Sequence, residues 1–262
     1  MFHVKRRIVA VANQKGGVGK TTTAINLGAA LAAYEQETLL VDLDPQSNCT
    51  SGVGVEVLDG GLTTYQMVTG AASHTDVLRA TAFPHLGILP ATIELAGAEV
   101  ELVGMVGREF RLRDALSLTD GYRFIFVDCP PSLGLLTVNA LAAADALLIP
   151  IQCEYFALEG VSDLMRTVDE VRRFLNPGLV IDGVLLTMYD ERTNLSQQVA
   201  EEVRSVLGDL VFDTIVPRNV RLAEAPSFGR PIHAYDLRSR GSHAYLALGR
   251  EYLQRLEVRH DA

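Results

Sequence analysis

Two lysines, Lys15 and Lys20, share one glycine-rich loop, Gln14-Lys15-Gly16-Gly17-Val18-Gly19-Lys20-Thr21-Thr22. Residues of these types in this order can hold a polyphosphate. Glycines let backbone N–H groups turn inward around an anion, and the start of a following helix adds its partial positive charge. Lys20 is spaced to reach the β- and γ-phosphates of a nucleotide, and the Thr21 hydroxyl to ligate Mg²⁺. The usual pattern, G-x-x-x-x-G-K-[ST], opens on glycine; here Gln14 stands there and Lys15 follows it. A second lysine so early in the loop is hard to explain with one nucleotide in one subunit. Of the 23 basic residues only Lys5, Lys15 and Lys20 are lysine. A compact ammonium suits a phosphate oxygen better than a planar guanidinium fork.

Carboxylates recur where such a site needs them. Asp42-Leu43-Asp44-Pro45-Gln46-Ser47-Asn48 follows an apolar run, and carboxylates there can hold Mg²⁺ through water or orient an attacking water. The bland alternative is a solvated turn, since Asp, Pro and Asn are common turn residues. Phe124-Ile125-Phe126-Val127-Asp128 has the form of a Walker B strand, with Asp128 as the metal-binding carboxylate and Pro130-Pro131 as a turn able to sense the γ-phosphate. Cys129 has no metal-ligand spacing around it and reads as a packed thiol.

These groups need a scaffold that delivers them to one edge. Ile8–Ala12 and Thr38–Asp44 are short apolar runs separated by a helical pattern, a βαβ unit. Further strands are expected at 86–89, 124–128, 146–151, 180–188 and 211–216, each nearly continuous in apolar residues, as strands buried on both faces are. Helical patterns fill 95–105, 110–118, 135–143, 158–174, 195–207 and 245–256. The alternation predicts an α/β fold: a doubly wound, mostly parallel sheet with helices on both faces. Ligands on such sheets sit at the carboxyl ends of the strands, where Lys20, Asp44 and Asp128 all fall. Residues 50–85 carry five glycines and no sustained period, and predict loops and short helices.

Composition bounds the rest. A chain of 262 residues that is 48% hydrophobic fits one large α/β domain. No linker, repeat or low-complexity tract marks a second one, so residues 1–262 read as a single domain. The apolar run after Lys5-Arg6-Arg7 is too short for a signal peptide, and no transmembrane segment is expected. Cys49, Cys129 and Cys153 are too few and too scattered for a disulfide framework, which points to reduced thiols and a cytoplasmic setting. A net charge of −9 argues against a simple nucleic-acid coat protein. Arginine nevertheless outnumbers acid between Pro217 and Arg240.

The Lys-Gly-Gly-Val-Gly-Lys-Thr-Thr loop resembles the deviant Walker A motif of the ParA/MinD family of dimerising ATPases. Three further segments match in order: the Asp-x-Asp-Pro-Gln switch I, the Asp-x-Pro-Pro switch II, and the C-terminal segments Thr187–Asn194 and Ile215–Ser227, which are similar to ParA/Soj proteins. The resemblance runs from about residue 8 to about residue 256. It implies ATP and Mg²⁺ as cofactors, and a sandwich homodimer in which Lys15 crosses to the partner's nucleotide. It further implies that Asp44 positions the hydrolytic water while Asp42 supports the loop, and that Met188, Pro217 and Asn219 hold the adenine. It implies non-specific double-stranded DNA as a ligand through Arg192, Arg218 and Arg221, with Arg238 and Arg240 able to add to the patch. A ParB/Spo0J-type partner would stimulate slow hydrolysis, which makes the nucleoid the expected location. Alternatively, these arginines pair with Glu224, Asp236 and their neighbours on a solvated face. With the first strand near Ile8, there is no room for an N-terminal helix-turn-helix domain. The main rival is a MinD-like membrane-positioning ATPase, but the last helix lacks a basic amphipathic character and reads as a core helix. A nitrogenase-reductase-like protein would need cysteines for an iron–sulfur cluster that are not matched here. A metabolic P-loop enzyme would not need Lys15.

Overall fold

A computed structural model describes residues 6–155 and 157–260; Lys5 and the chain ends lie outside the described residues. Seven strands form one sheet: β1 (Arg7–Val11), β2 (Thr38–Asp42), β3 (Arg79–Ala80), β4 (Leu86–Leu89), β5 (Phe124–Asp128), β6 (Ala146–Gln152) and β7 (Val180–Thr187). Their order is β3-β4-β2-β5-β1-β6-β7, parallel throughout except where β3 runs antiparallel to β4. The first half carries helices α1 (Lys20–Ala33), α2 (Asn48–Gly52), α3 (Thr64–Thr69), α4 (His74–Val77), α5 (Leu95–Val103) and α6 (Arg111–Leu116). The second carries α7 (Leu135–Ala143), α8 (Ala157–Phe174), α9 (Asn194–Leu207), α10 (Val220–Glu224), α11 (Ile232–Tyr235) and α12 (Arg240–His260).

The continuous apolar runs have a direct cause. Alternate residues of each central strand enter two separate cores: Ile8, Ala10, Leu39, Val41, Ile125 and Val127 on one face, Val9, Val11, Leu40, Phe124 and Phe126 on the other. Neither face meets water, so neither tolerates the polar half of an alternating pattern. The second face is sealed by α1 and α12, whose Tyr245, Leu248, Tyr252 and Leu256 are buried. The last helix is thus a core helix, as its sequence indicates. Tyr252 donates to Asp182 Oδ2 at 2.5 Å, and Asp182 also receives the Arg7 guanidinium, with Nε at 2.9 Å, which ties β1, β7 and α12 together.

One expected strand is absent. Among the described residues, the backbone of 211–216 pairs with β7 only through a bridge of Val211 with Val184 and the hydrogen bonds Phe212 N to Val184 O and Val216 N to Leu186 O. Between them side chains satisfy the backbone: Glu251 accepts from Asp213 N and Thr214 N at 2.8 and 2.9 Å, and Arg204 donates to Phe212 O at 3.1 Å. Phe212 also packs against Gly183 of β7, where a side chain would collide with its ring. Residues 50–85 do contain short helices, plus the two-residue strand β3 that no pattern announced.

Candidate functional site

The loop between β1 and α1 is shaped by its glycines. Gly17 and Gly19 have φ of 74° and 89°, a region that side-chain-bearing residues rarely adopt. Gly19 is the N-cap of α1 and supplies no side-chain acceptor, and no acidic residue occupies the first turn. The first N–H groups of α1 therefore face outward without an internal anion, the arrangement a phosphate completes. Thr187 stiffens the loop by donating to Val18 O at 2.8 Å. Asn13 does the same from below, donating to Pro150 O at 2.7 Å and accepting from Lys15 N at 3.0 Å.

The two lysines part company. Lys20 is buried at 6% exposure, with Nζ 3.2 Å from Lys15 O inside the loop. Burial pushes its ammonium below its ordinary pKa, opposed by Asp128, Cys129 and Asp44. Lys15 instead points to the rim, where Nζ meets Glu154 Oε2 at 3.3 Å and the side chain stays 36% exposed.

Asp42 and Asp128 end paired strands, side by side in the β2–β5 register. Asp42 is fully buried and accepts from Thr50 Oγ1 at 2.6 Å, Thr50 N at 2.8 Å and Asp44 N at 3.2 Å. It thereby ties together the two ends of the loop from Asp44 to Thr50. Asp44 is held at the site by its contact with Gln46 N at 2.9 Å. Asp128 differs: among the described residues both its oxygens are buried without a hydrogen-bond partner. Burial, then the Asp42 charge, raises its carboxyl well above the usual range, with Thr21 and Lys20 pulling the other way. Burial raises Asp42 as well.

A buried, orphaned carboxylate beside Lys20 and Thr21 is what a hydrated divalent cation would satisfy. Among the described residues no three His, Cys, Asp or Glu side chains converge as an all-protein cage. That fits Mg²⁺, which keeps waters and relies on one or two carboxylates plus phosphate oxygens. Thr21 and Asp128, with Asp44 at the edge, are the residues suited to hold it. Mg²⁺ bound there would neutralise charge on the phosphates. All three cysteines are free and buried, and burial pushes the thiols of Cys49, Cys129 and Cys153 up, which leaves no reactive thiolate.

Beside the loop lies a cavity of about 350 Å³, mostly apolar, lined by Gly19, Thr22, Met188, Pro217, Asn219 and Tyr245. The structure thus brings Met188, Pro217 and Asn219 together with the phosphate loop. Met188 has a φ of 51°, and a bridge between Tyr189 and Pro217 joins the two C-terminal segments. Asn219 caps α10 by accepting from Arg221 N at 2.8 Å. Asn26 of α1 accepts from Ile232 N at 2.7 Å and so fixes the segment beyond. A larger cleft of about 680 Å³ lies at the opposite strand ends, around Arg6 and Asp145, away from every group just described.

Four of these arginines gather on this C-terminal surface, each beside a carboxylate. Arg192 forks onto Asp190 at 2.9 and 2.7 Å. Arg221 reaches Glu224 at 2.8 Å and Asp236 at 3.5 Å, Arg240 reaches Glu191 at 3.0 Å, and Arg218 lies 4.0 Å from Glu154. The solvated-face pairing set out from the sequence is therefore present, and all four side chains remain more than half exposed. Sequence reasoning missed Thr50 and Glu154. Their importance rests on what they touch, and neither belongs to a local pattern. Among the described residues no helix is long and apolar enough to cross a membrane.

Residues 6–181 match a family described as an AAA domain. The chain is 56% identical to the chromosome partitioning protein ParA of Myxococcus xanthus, over 95% of this chain and 88% of that one. It is 51% identical to the chromosome-partitioning ATPase Soj of Thermus thermophilus, over 98% and 99%. In structure it is similar to the cobyrinic acid a,c-diamide synthase of Mycobacterium smegmatis with bound ADP and magnesium, with a TM-score of 0.84 at 37% identity, covering 97% of this chain and 96% of that one.

Proposed function

The chain belongs to the ParA/Soj family of chromosome-partitioning ATPases, and from that premise we propose that it is a nucleotide-timed DNA-segregation switch. It is a P-loop ATPase that uses ATP and Mg²⁺. In our reading Lys20 and the loop amides stabilise charge on the transferring phosphoryl group, Asp44 orients the attacking water, and the base rests against Met188, Pro217 and Asn219. In our reading intrinsic turnover is slow and the bound nucleotide acts as a timer.

The observation that carries the reading is the divergence of the two lysines. One nucleotide in one subunit engages Lys20; Lys15 is directed to the rim, its side chain held among the described residues only by a pair with Glu154, and in our reading it serves the nucleotide of a second copy. ATP thus joins two copies into a sandwich homodimer. Dimerisation doubles the surface carrying Arg192, Arg218 and Arg221, and non-specific double-stranded DNA becomes its ligand in that state. Exposed pairs such as Arg192–Asp190 are weak enough to yield to phosphates. A ParB/Spo0J-type partner accelerates hydrolysis and releases the DNA, so the protein works on the nucleoid in the cytoplasm. The MinD-like alternative has little support in α12, whose Tyr245, Leu248, Tyr252 and Leu256 face the core.

The test is binding to a duplex of arbitrary sequence with ADP and with ATP plus Mg²⁺ across a salt series. ATP-dependent binding that weakens steeply with salt and is lost in Arg221→Ala and Lys15→Ala supports the proposal. Equal binding in both nucleotide states, or none in either, sinks it.

A further inference from the structure

Two complementary deficits lie side by side where the loop after Asp128 enters α7. The first is Glu99 on α5, whose Oε1 is buried and, among the described residues, has no hydrogen-bond partner. The second is the start of α7. Its N-cap is Gly134, which brings no side chain, and no other side chain caps the helix. The N–H groups of its first turn lack the acceptor that a helix start normally recruits. A Cβ built on Gly134 would collide with Glu99 Oε1, so the carboxylate fills the space a capping side chain would take.

The intervening loop connects this spot to the phosphates. Pro131 and Ser132 are exposed. Pro131 lies against the phosphate loop, 3.8 Å from where a Gly16 Cβ would be. Thr137 Oγ1 donates to Ser132 O at 2.5 Å, so a shift of the loop carries the first turn of α7 with it.

We propose that Glu99 is a positioning residue of the ATPase. When the γ-phosphate draws Pro130–Gly134 onto the phosphate loop, the Glu99 carboxylate accepts N–H bonds from the first turn of α7. That movement satisfies both deficits at once, and an anion at a helix N-terminus is favoured by the helix dipole. The loop is then locked with Asp128 in register behind it. The inference rests on ATP binding at the P-loop and is independent of DNA.

Amide hydrogen exchange at residues 135–137 tests it, read without nucleotide and with Mg²⁺ and a non-hydrolysable ATP analogue. In the native protein the analogue slows exchange there about fivefold, the size of one cap. In Glu99→Ala this slowing disappears and kcat falls about fivefold, while KM and analogue affinity stay within about twofold. The double variant Glu99→Ala/Gly134→Ser supplies the cap from within α7, so its exchange is slow in both states. If the native protein shows no nucleotide-dependent slowing at these amides, or Glu99→Ala retains it, the proposal is overturned. Should Glu99→Ala fail to fold, Glu99→Gln keeps the shape with a weaker acceptor, and undiminished slowing in that variant overturns it equally.

Discussion

Exchanging the Thr50 hydroxyl for a methyl, as Thr50→Val, strikes the support of the loop after β2 with a side chain of nearly the same shape. Thr50 is 4% exposed. Its hydroxyl donates to Asp42 Oδ2 at 2.6 Å and accepts from Ala91 N at 2.9 Å. Valine removes a bond to a carboxylate, worth about 1.5–3 kcal/mol, and leaves the buried Ala91 N–H unpaired at about 1–3 kcal/mol. Thr50 N still donates to Asp42, so the loss falls toward the lower sum, about 3 kcal/mol. For a chain of this length that lowers Tm by about 6–12 °C. The assay is thermal and urea unfolding without nucleotide, with Thr50→Ser, which keeps the hydroxyl, held within about 1 kcal/mol of the native protein. A double-mutant cycle with Asp42→Asn then yields a coupling of about 1–2 kcal/mol. If Thr50→Val unfolds within 1 kcal/mol of the native protein by this ~1.4 kcal/mol-per-decade measure, Asp42 is not held as described and the reasoning fails.

Asp44→Ala is expected to bind ATP within about threefold of the native protein while turnover drops at least ~10²-fold; retained hydrolysis in a phosphate-release assay removes Asp44 from its role. Gly229 has a φ of 61°, and a Cβ there would lie 2.6 Å from Gly54 Cα, backbone that cannot step aside. Gly229→Ala therefore costs at least about 2 kcal/mol in urea unfolding. Glu251 is half-buried, which would raise its carboxyl, yet Thr214, the Asp213 amide and Arg255 hold it below the ordinary value. A depressed pKa gives stability that is present above the unfolded value near 4.5 and is lost as pH falls through the folded one. Glu251→Gln should flatten that acid limb of the stability curve, and an unchanged acid limb would count against the Glu251 bonds.

Where a residue's job depends on its near neighbours in sequence, the sequence was readable. Gly17 and Gly19 announce their positive φ, and the strands ending in Asp42 and Asp128 announce double burial through unbroken apolar runs. Residues 211–216 look the same by that criterion, because an apolar run cannot reveal that Glu251 and Arg204 will take its backbone groups. The start of α12 was set too late for a related reason. Arg240–Ala244 is mostly polar, but Ser239 opens the helix by accepting from Ser242 N at 3.1 Å. Lys15 stands out in the sequence by its type and place in the loop, whereas its pairing with Glu154 exists only once β6 is laid beside β1.

The link from Arg7 through Asp182 to Tyr252 has a consequence for biosynthesis. β1 leaves the ribosome before the other strands of the sheet, yet it occupies the interior, and its neighbours β5 and β6 follow more than a hundred residues later. Its arginine waits for β7, and Asp182 in turn waits for Tyr252 on the final helix, which also covers Phe124 and Phe126 at ring distances of 5.9 and 6.1 Å. Such long-range closure slows folding and exposes apolar surface meanwhile. A polypeptide interrupted before α12 would display that aromatic face and carry Thr23 without its Tyr245 contact at 3.2 Å. Truncated products would thus expose an apolar face of the kind chaperones and proteases recognise, and would lack the Tyr245 wall of the cavity beside the phosphate loop.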